Sequence, residues 1–181
     1  MSRKKKDWPV PKWVARLIYG ADIVLRLSSI VVVLRNPLLG SLLILLLDAG
    51  DYEVAVSAGV TYKKYQMIDK TLDMINMFYL TVSSFSLNLS IKYFILALFF
   101  YRSIGQVVYF YNRKDKYFIY FPNLIDFFFP IYLLSNSLVF SLIVSLPLKI
   151  IQEYILHVRH YTDPLAMTFV RAHPEHQLKN V

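Results

Sequence analysis

The chain reads as an all-α integral membrane protein of about six transmembrane helices, and three observations carry that reading. Of its 181 residues, 56% are hydrophobic and only 18% charged, more apolar surface than a soluble chain of this length can bury. The apolar residues gather in stretches near the roughly 20 residues that a helix needs to cross a bilayer. The basic residues collect at the two ends and in alternate loops, the pattern of cytoplasmic segments.

In chain order, the spans fall at 14–35, 37–56, 67–87, 91–111, 118–135 and 138–157. Arg16, Asp22 and Arg26 interrupt the first, so residues 8–20 have a second reading as an interfacial amphipathic segment anchored by Trp8 and Trp13. Asn36-Pro37 turns the first span into the second, Asn88 turns the third into the fourth, and Ser135-Asn136-Ser137 divides the last apolar stretch in two. Residues 1–161 then form a single helical membrane domain, and 162–181 a polar cytoplasmic tail. Met1 to Lys6 is basic, but no apolar core or cleavage site of a secretory signal follows, so the chain is expected to begin at Met1.

Six spans put Arg3, Lys4, Lys5, Lys6, Lys12, Lys63, Lys64, Arg113, Lys114, Lys116, Arg159, Arg171 and Lys179 on one side, leaving Arg35 and Lys92 on the other. Both termini and the loop between the second and third spans are therefore expected to be cytoplasmic. The net charge of +8 follows from this topology and from attraction to anionic lipid. Membrane lipids are the expected partners; nucleic acid is not, because no basic surface interleaved with aromatic residues is present. The absence of cysteine excludes disulfides and thiolate metal sites, so any metal must be held by oxygen.

Four aspartates, Asp48, Asp51, Asp69 and Asp73, flank that cytoplasmic loop. Carboxylates at membrane depth are costly and mark a functional site by default. The first two are three residues apart and the second two four apart, so each pair is expected on one face of its own helix. The plainer alternative is that these acids cap helix ends near water or pair with Lys63, Lys64 and Lys70.

The residues around these acids read Asp48-Ala49-Gly50-Asp51-Tyr52-Glu53-Val54-Ala55-Val56, then eight residues, Tyr65, three residues, Asp69, three residues and Asp73. This spacing resembles that of the CDP-alcohol phosphotransferase (phosphatidyltransferase) family, membrane enzymes of phospholipid synthesis, whose pattern is Asp-x2-Asp-Gly-x2-Ala-Arg-x8-Gly-x3-Asp-x3-Asp. All four acids and Ala55 match without a gap, whereas the family's two glycines are Tyr52 and Tyr65 here and its arginine is Val56. The resemblance implies that Asp48, Asp51, Asp69 and Asp73 hold Mg²⁺ or Mn²⁺, in a two-metal site, against the diphosphate of a CDP-linked or related donor. It implies that Asp73 also takes the proton from the acceptor alcohol, and that the chain pairs as a homodimer. Asn76, three residues beyond Asp73, is placed to orient it, and Lys63, Lys64 or Lys70 to replace the missing guanidinium. Tyrosines at the glycine positions leave less room for the nucleotide.

Arg102 lies mid-span with Gln106 one turn on; it either binds a substrate phosphate or headgroup, or neutralises Asp126. Asn123 and Asp126 follow Pro122 and read as caps of the fifth span. Asp22 and Arg26, four apart, read as a pair within one helix. Phe127-Phe128-Phe129 and the stretch Tyr117 to Phe121 read as lipid-facing surface and interfacial belt. His157, His160, His173 and His176 lie in or near the tail and read as solvated.

Three functions fit these features. The leading one is a metal-dependent membrane phosphotransferase. The second is a catalytically silent relative that binds lipid or acts as a scaffold. The third is a cation or proton transport protein using the same acids.

Overall fold

The computed structural model describes residues 11–48, 51–112 and 115–157, and among the described residues every regular element is helical. Trp8, His160, His173, His176, the tail 162–181 and the side chains of Tyr52, Val56, Lys63 and His157 lie outside what it describes. Helix α1 runs without a break over Lys12–Arg35, so residues 12–20 continue the first span. The Asn36 side chain accepts from the Leu39 amide at 3.1 Å and starts α2, Pro37–Asp48, with Pro37 at the position where its missing N–H costs nothing.

Within the second predicted span, 37–56, helix is described over Pro37–Asp48 (α2) and Asp51–Ser57 (α3), and residues 49 and 50 lie outside the described residues. Gly59, with φ at +79°, reverses the chain into α4, Tyr62–Ser86, a backbone angle that glycine adopts without steric cost. Asn88 turns α4 into α5, Lys92–Asn112, and Asn136 separates α6, Ile125–Ser135, from α7, Leu138–His157. These last two turns fall where the sequence places them.

The predicted span 118–135 is divided. A 3-10 helix covers Asp115–Tyr120, and α6 starts only at Ile125, three residues past Pro122. The break has a physical cause in α5. Gly105 has no Cβ, and one built there would collide with the Phe121 side chain; the chain therefore approaches α5 closely at Phe121, and Arg102 donates to the Phe121 carbonyl at 2.5 Å.

Helix α1 packs on α2, α3 and α4; α2 packs on α6, α6 on α7, and α4 on α5, while the 3-10 helix bridges α5 and α7. Val33, Ile44, Met77, Leu80, Ile95, Ile125, Phe128 and Phe129 form the main core. Phe128 and Phe129 are thus interior, not lipid-facing, because α6 is covered by its neighbours. Outside this core the usual polarity is reversed. Arg26, Asp69, Lys70, Arg102 and Lys149 are buried, whereas Leu46, Val107 and Ile143 are largely exposed. Among the described residues, two helices, α1 and α5, are long and apolar enough to cross a membrane.

Candidate functional site

The four aspartates converge on one side chain of α1. Arg26 donates to Asp48 at 2.8 Å, to Asp73 at 3.2 Å, to Asp69 at 3.3 Å and to Asp51. Asp48 is the last described residue of α2 and Asp51 the first of α3, and both reach the same guanidinium. Asp69 and Asp73 share one face of α4, as their spacing predicts. That face also carries buried Tyr65, Leu72 and Asn76.

The sequence reading pairs Arg26 with Asp22 and gives it no part in a site; the structure corrects this. Asp22 lies within one helical turn of Arg26, yet one oxygen of its carboxylate is buried without a hydrogen-bond partner. Four carboxylates at the far end of one guanidinium outweigh one neighbour on the same helix. Nothing local in α1 signals this, because the acids arrive from 22 to 47 residues away.

Each carboxylate gives one oxygen to Arg26, and most of the second oxygens are also held. Asp51 accepts from the Tyr65 hydroxyl at 2.8 Å, Asp69 from Lys70 at 2.8 Å, and Asp73 lies 3.6 Å from the same ammonium. Tyr65, at a glycine position of the resembling motif, therefore fills that space and ties down one acid. Arg26 is 1% exposed and Asp48 is 31% exposed, which makes Asp48 the accessible edge of the cluster. Four acids against Arg26 and Lys70 leave a formal charge of −2.

Ligand atoms of Asp48, Asp51 and Asp69 lie within 4.8 Å of one another. This set of hard oxygen donors fits a divalent cation such as Mg²⁺ or Mn²⁺ in chemistry and spacing.

A second polar layer adjoins the first. α2 packs beside α6, and α6, at 11 residues, is about half as long as the roughly 30 Å hydrocarbon core. Asp48 of α2 and Asp126 of α6 are within electrostatic range of each other and of Lys149. Asp126 accepts from Asn123 at 2.6 Å and from Lys149 at 3.5 Å. The capping role expected for Asn123 and Asp126 is not what they do. α6 has no side-chain cap, and Asp126 instead joins α6 to α7.

Arg102 is buried, donating to the Phe121 carbonyl with its guanidinium 4.2 Å from the Phe118 ring centre. The Lys70 ammonium lies 5.2 Å from the centre of the same ring. Lys70 is the lysine of the cluster and Lys64 is exposed, while the Lys63 side chain lies outside the described residues. The Asn76 amide nitrogen is buried without a hydrogen-bond partner, so it does not orient Asp73 through that atom. Arg26 and Lys149 are the site residues that sequence reasoning misses. The available signal was the cost of any charge within an apolar span, which applies to both.

Comparison with known proteins gave no match to a family model, to a curated protein or to a solved structure.

Proposed function

We infer that the chain is a metal-dependent membrane phosphotransferase of the CDP-alcohol type, using an activated, CDP-linked or related donor in lipid synthesis. The observation that carries this is the convergence of Asp48, Asp51, Asp69 and Asp73, at family spacing, on one point from three helices. Acids that merely capped helices or faced water would not be gathered around one buried cation. The reversed polarity of surface and interior supports a membrane location for the whole helical domain, with six crossings and the acidic cluster opening to the cytoplasm. Arg26, Asp51 and Asp69 are buried and Asp48 is partly exposed, so the cluster is reached from its Asp48 edge.

Asp48, Asp51 and Asp69 would hold the divalent cation, which neutralises the donor's diphosphate when bound. Asp73 is the base. The acceptor hydroxyl oxygen forms the new bond to phosphorus, the bond from that phosphorus to the oxygen of CMP breaks, and Asp73 receives the hydroxyl proton. CMP leaves as the anion. Lys70 fixes the positions of Asp69 and Asp73.

The chain in proteoliposomes, given Mg²⁺, a CDP-linked lipid and candidate alcohols, is expected to release CMP, and Asp73→Asn to abolish release. Wild type that binds Mn²⁺ yet releases no CMP from any donor would overturn transfer. The reading of a silent relative would then stand, and one observation already favours it: the Tyr65 side chain occupies a place that the family leaves open.

A further inference from the structure

Arg26 and the expected cation compete for the same carboxylates. A cation arriving from the Asp48 edge meets Asp51, Asp69 and Asp73 with one oxygen each on the guanidinium and the other on Tyr65 or Lys70. Both oxygens of Asp51 and of Asp69, two of the three expected ligands, are engaged in this way, so binding the cation means drawing these acids from Arg26. A freed guanidinium, however, has somewhere to go. Asp22 lies four residues earlier on α1, is within electrostatic range of both Arg26 and Asp69, and has a buried oxygen with no partner.

The same face of α1 carries a further buried group without a partner. Tyr19, 8% exposed, has a hydroxyl with no hydrogen-bond partner and within electrostatic range of Asp51, Asp69 and Asp22. A buried hydroxyl left without a partner is costly, and its nearness to both Asp22 and the cluster suits it to a ligand entering the cluster or to the guanidinium leaving it.

We propose that Arg26 is a two-station counterion: it neutralises the aspartates until a divalent cation binds, and then moves to Asp22 on its own helix. This rests on the metal-site reading above. It adds that the cluster never stands uncompensated in a low-dielectric interior, where four bare carboxylates repel strongly. It also adds that cation affinity is set by α1, outside the motif. Any cation must first displace Arg26, so its apparent affinity falls by the fraction of chains with the guanidinium already moved.

The test is the Mn²⁺ dissociation constant of the full chain purified in detergent, read from the spin signal of free Mn²⁺. Arg26→Met is expected to tighten Mn²⁺ by about tenfold or more, because the competitor is gone. Arg26→Lys keeps the charge, and hence the fold, but loses the fork that reaches four acids; it is expected to tighten binding by about threefold or more. Asp22→Asn removes the second station and is expected to weaken binding by about threefold or more. Thermal midpoints give an independent readout: Arg26→Met should melt lower than wild type in chelator and regain the difference in Mn²⁺. Equal constants for wild type, Arg26→Lys and Asp22→Asn would overturn the two-station role while leaving the metal site intact. Absence of Mn²⁺ binding in every chain, wild type included, would overturn both.

Discussion

Tyr65 shows how one side chain alters what a motif can do. Its hydroxyl donates to Asp51 at 2.8 Å from a buried position. A hydrogen bond to a buried carboxylate contributes about 1.5–3 kcal/mol, so Tyr65→Phe is expected to lower the thermal midpoint by a corresponding amount. It should also tighten Mn²⁺, since Asp51 regains an oxygen; unchanged stability and affinity together would show that the hydroxyl does not hold Asp51. The Asp126–Lys149 pair offers a second test at this scale. Both side chains are at most 10% exposed and lie 3.5 Å apart. Lys149→Met alone is expected to cost about 3–5 kcal/mol, by leaving a buried acid without this cation. Adding Asp126→Asn should recover most of the loss, and the double-mutant cycle in chemical or thermal unfolding measures how much.

At the scale of elements, the site depends on how helices pack. Asp48 of α2 and Asp51 of α3 both reach Arg26 of α1. What holds α2 at the right depth is its contact with α1, and Gly40 permits that contact. A Cβ at Gly40 would lie 2.5 Å from the Val33 backbone. Gly40→Ala is therefore expected to push α1 and α2 apart, to cost about 1–3 kcal/mol, and to loosen the Arg26–Asp48 contact that spans them. The measurement is the thermal midpoint together with Mn²⁺ affinity. A variant with wild-type stability would show that the two helices have slack. α6 adds Asp126, which lies within electrostatic range of Asp48.

The whole molecule has apolar residues outside and charges inside, and the proposed topology makes a direct prediction from this. Six crossings put Lys64 on the cytoplasmic side and Leu87 and Leu138 on the other. The chain has no cysteine, so single cysteines at these exposed positions report sidedness without background. In intact cells, a membrane-impermeant maleimide is expected to label Leu87→Cys and Leu138→Cys, and Lys64→Cys only after permeabilisation. Labelling of all three in intact cells would refute the six-crossing arrangement.

Much of this was readable from the residues in order. Apolar runs and turn residues such as Asn88 and Asn136 act locally, so they placed the helices near 91–111 and 138–157 and divided the last two. The four acids were found because their intervals are short and a carboxylate in an apolar setting is costly wherever it falls. The tertiary structure alone decided their partner. Arg26 has an acid four residues away that any local rule would choose, but the energy of a buried charge is set by every charge around it in space, and four of those lie on other helices. Lys149 escaped notice for the same reason, and so did the late start of α6, where the chain packs closely on Gly105 at Phe121.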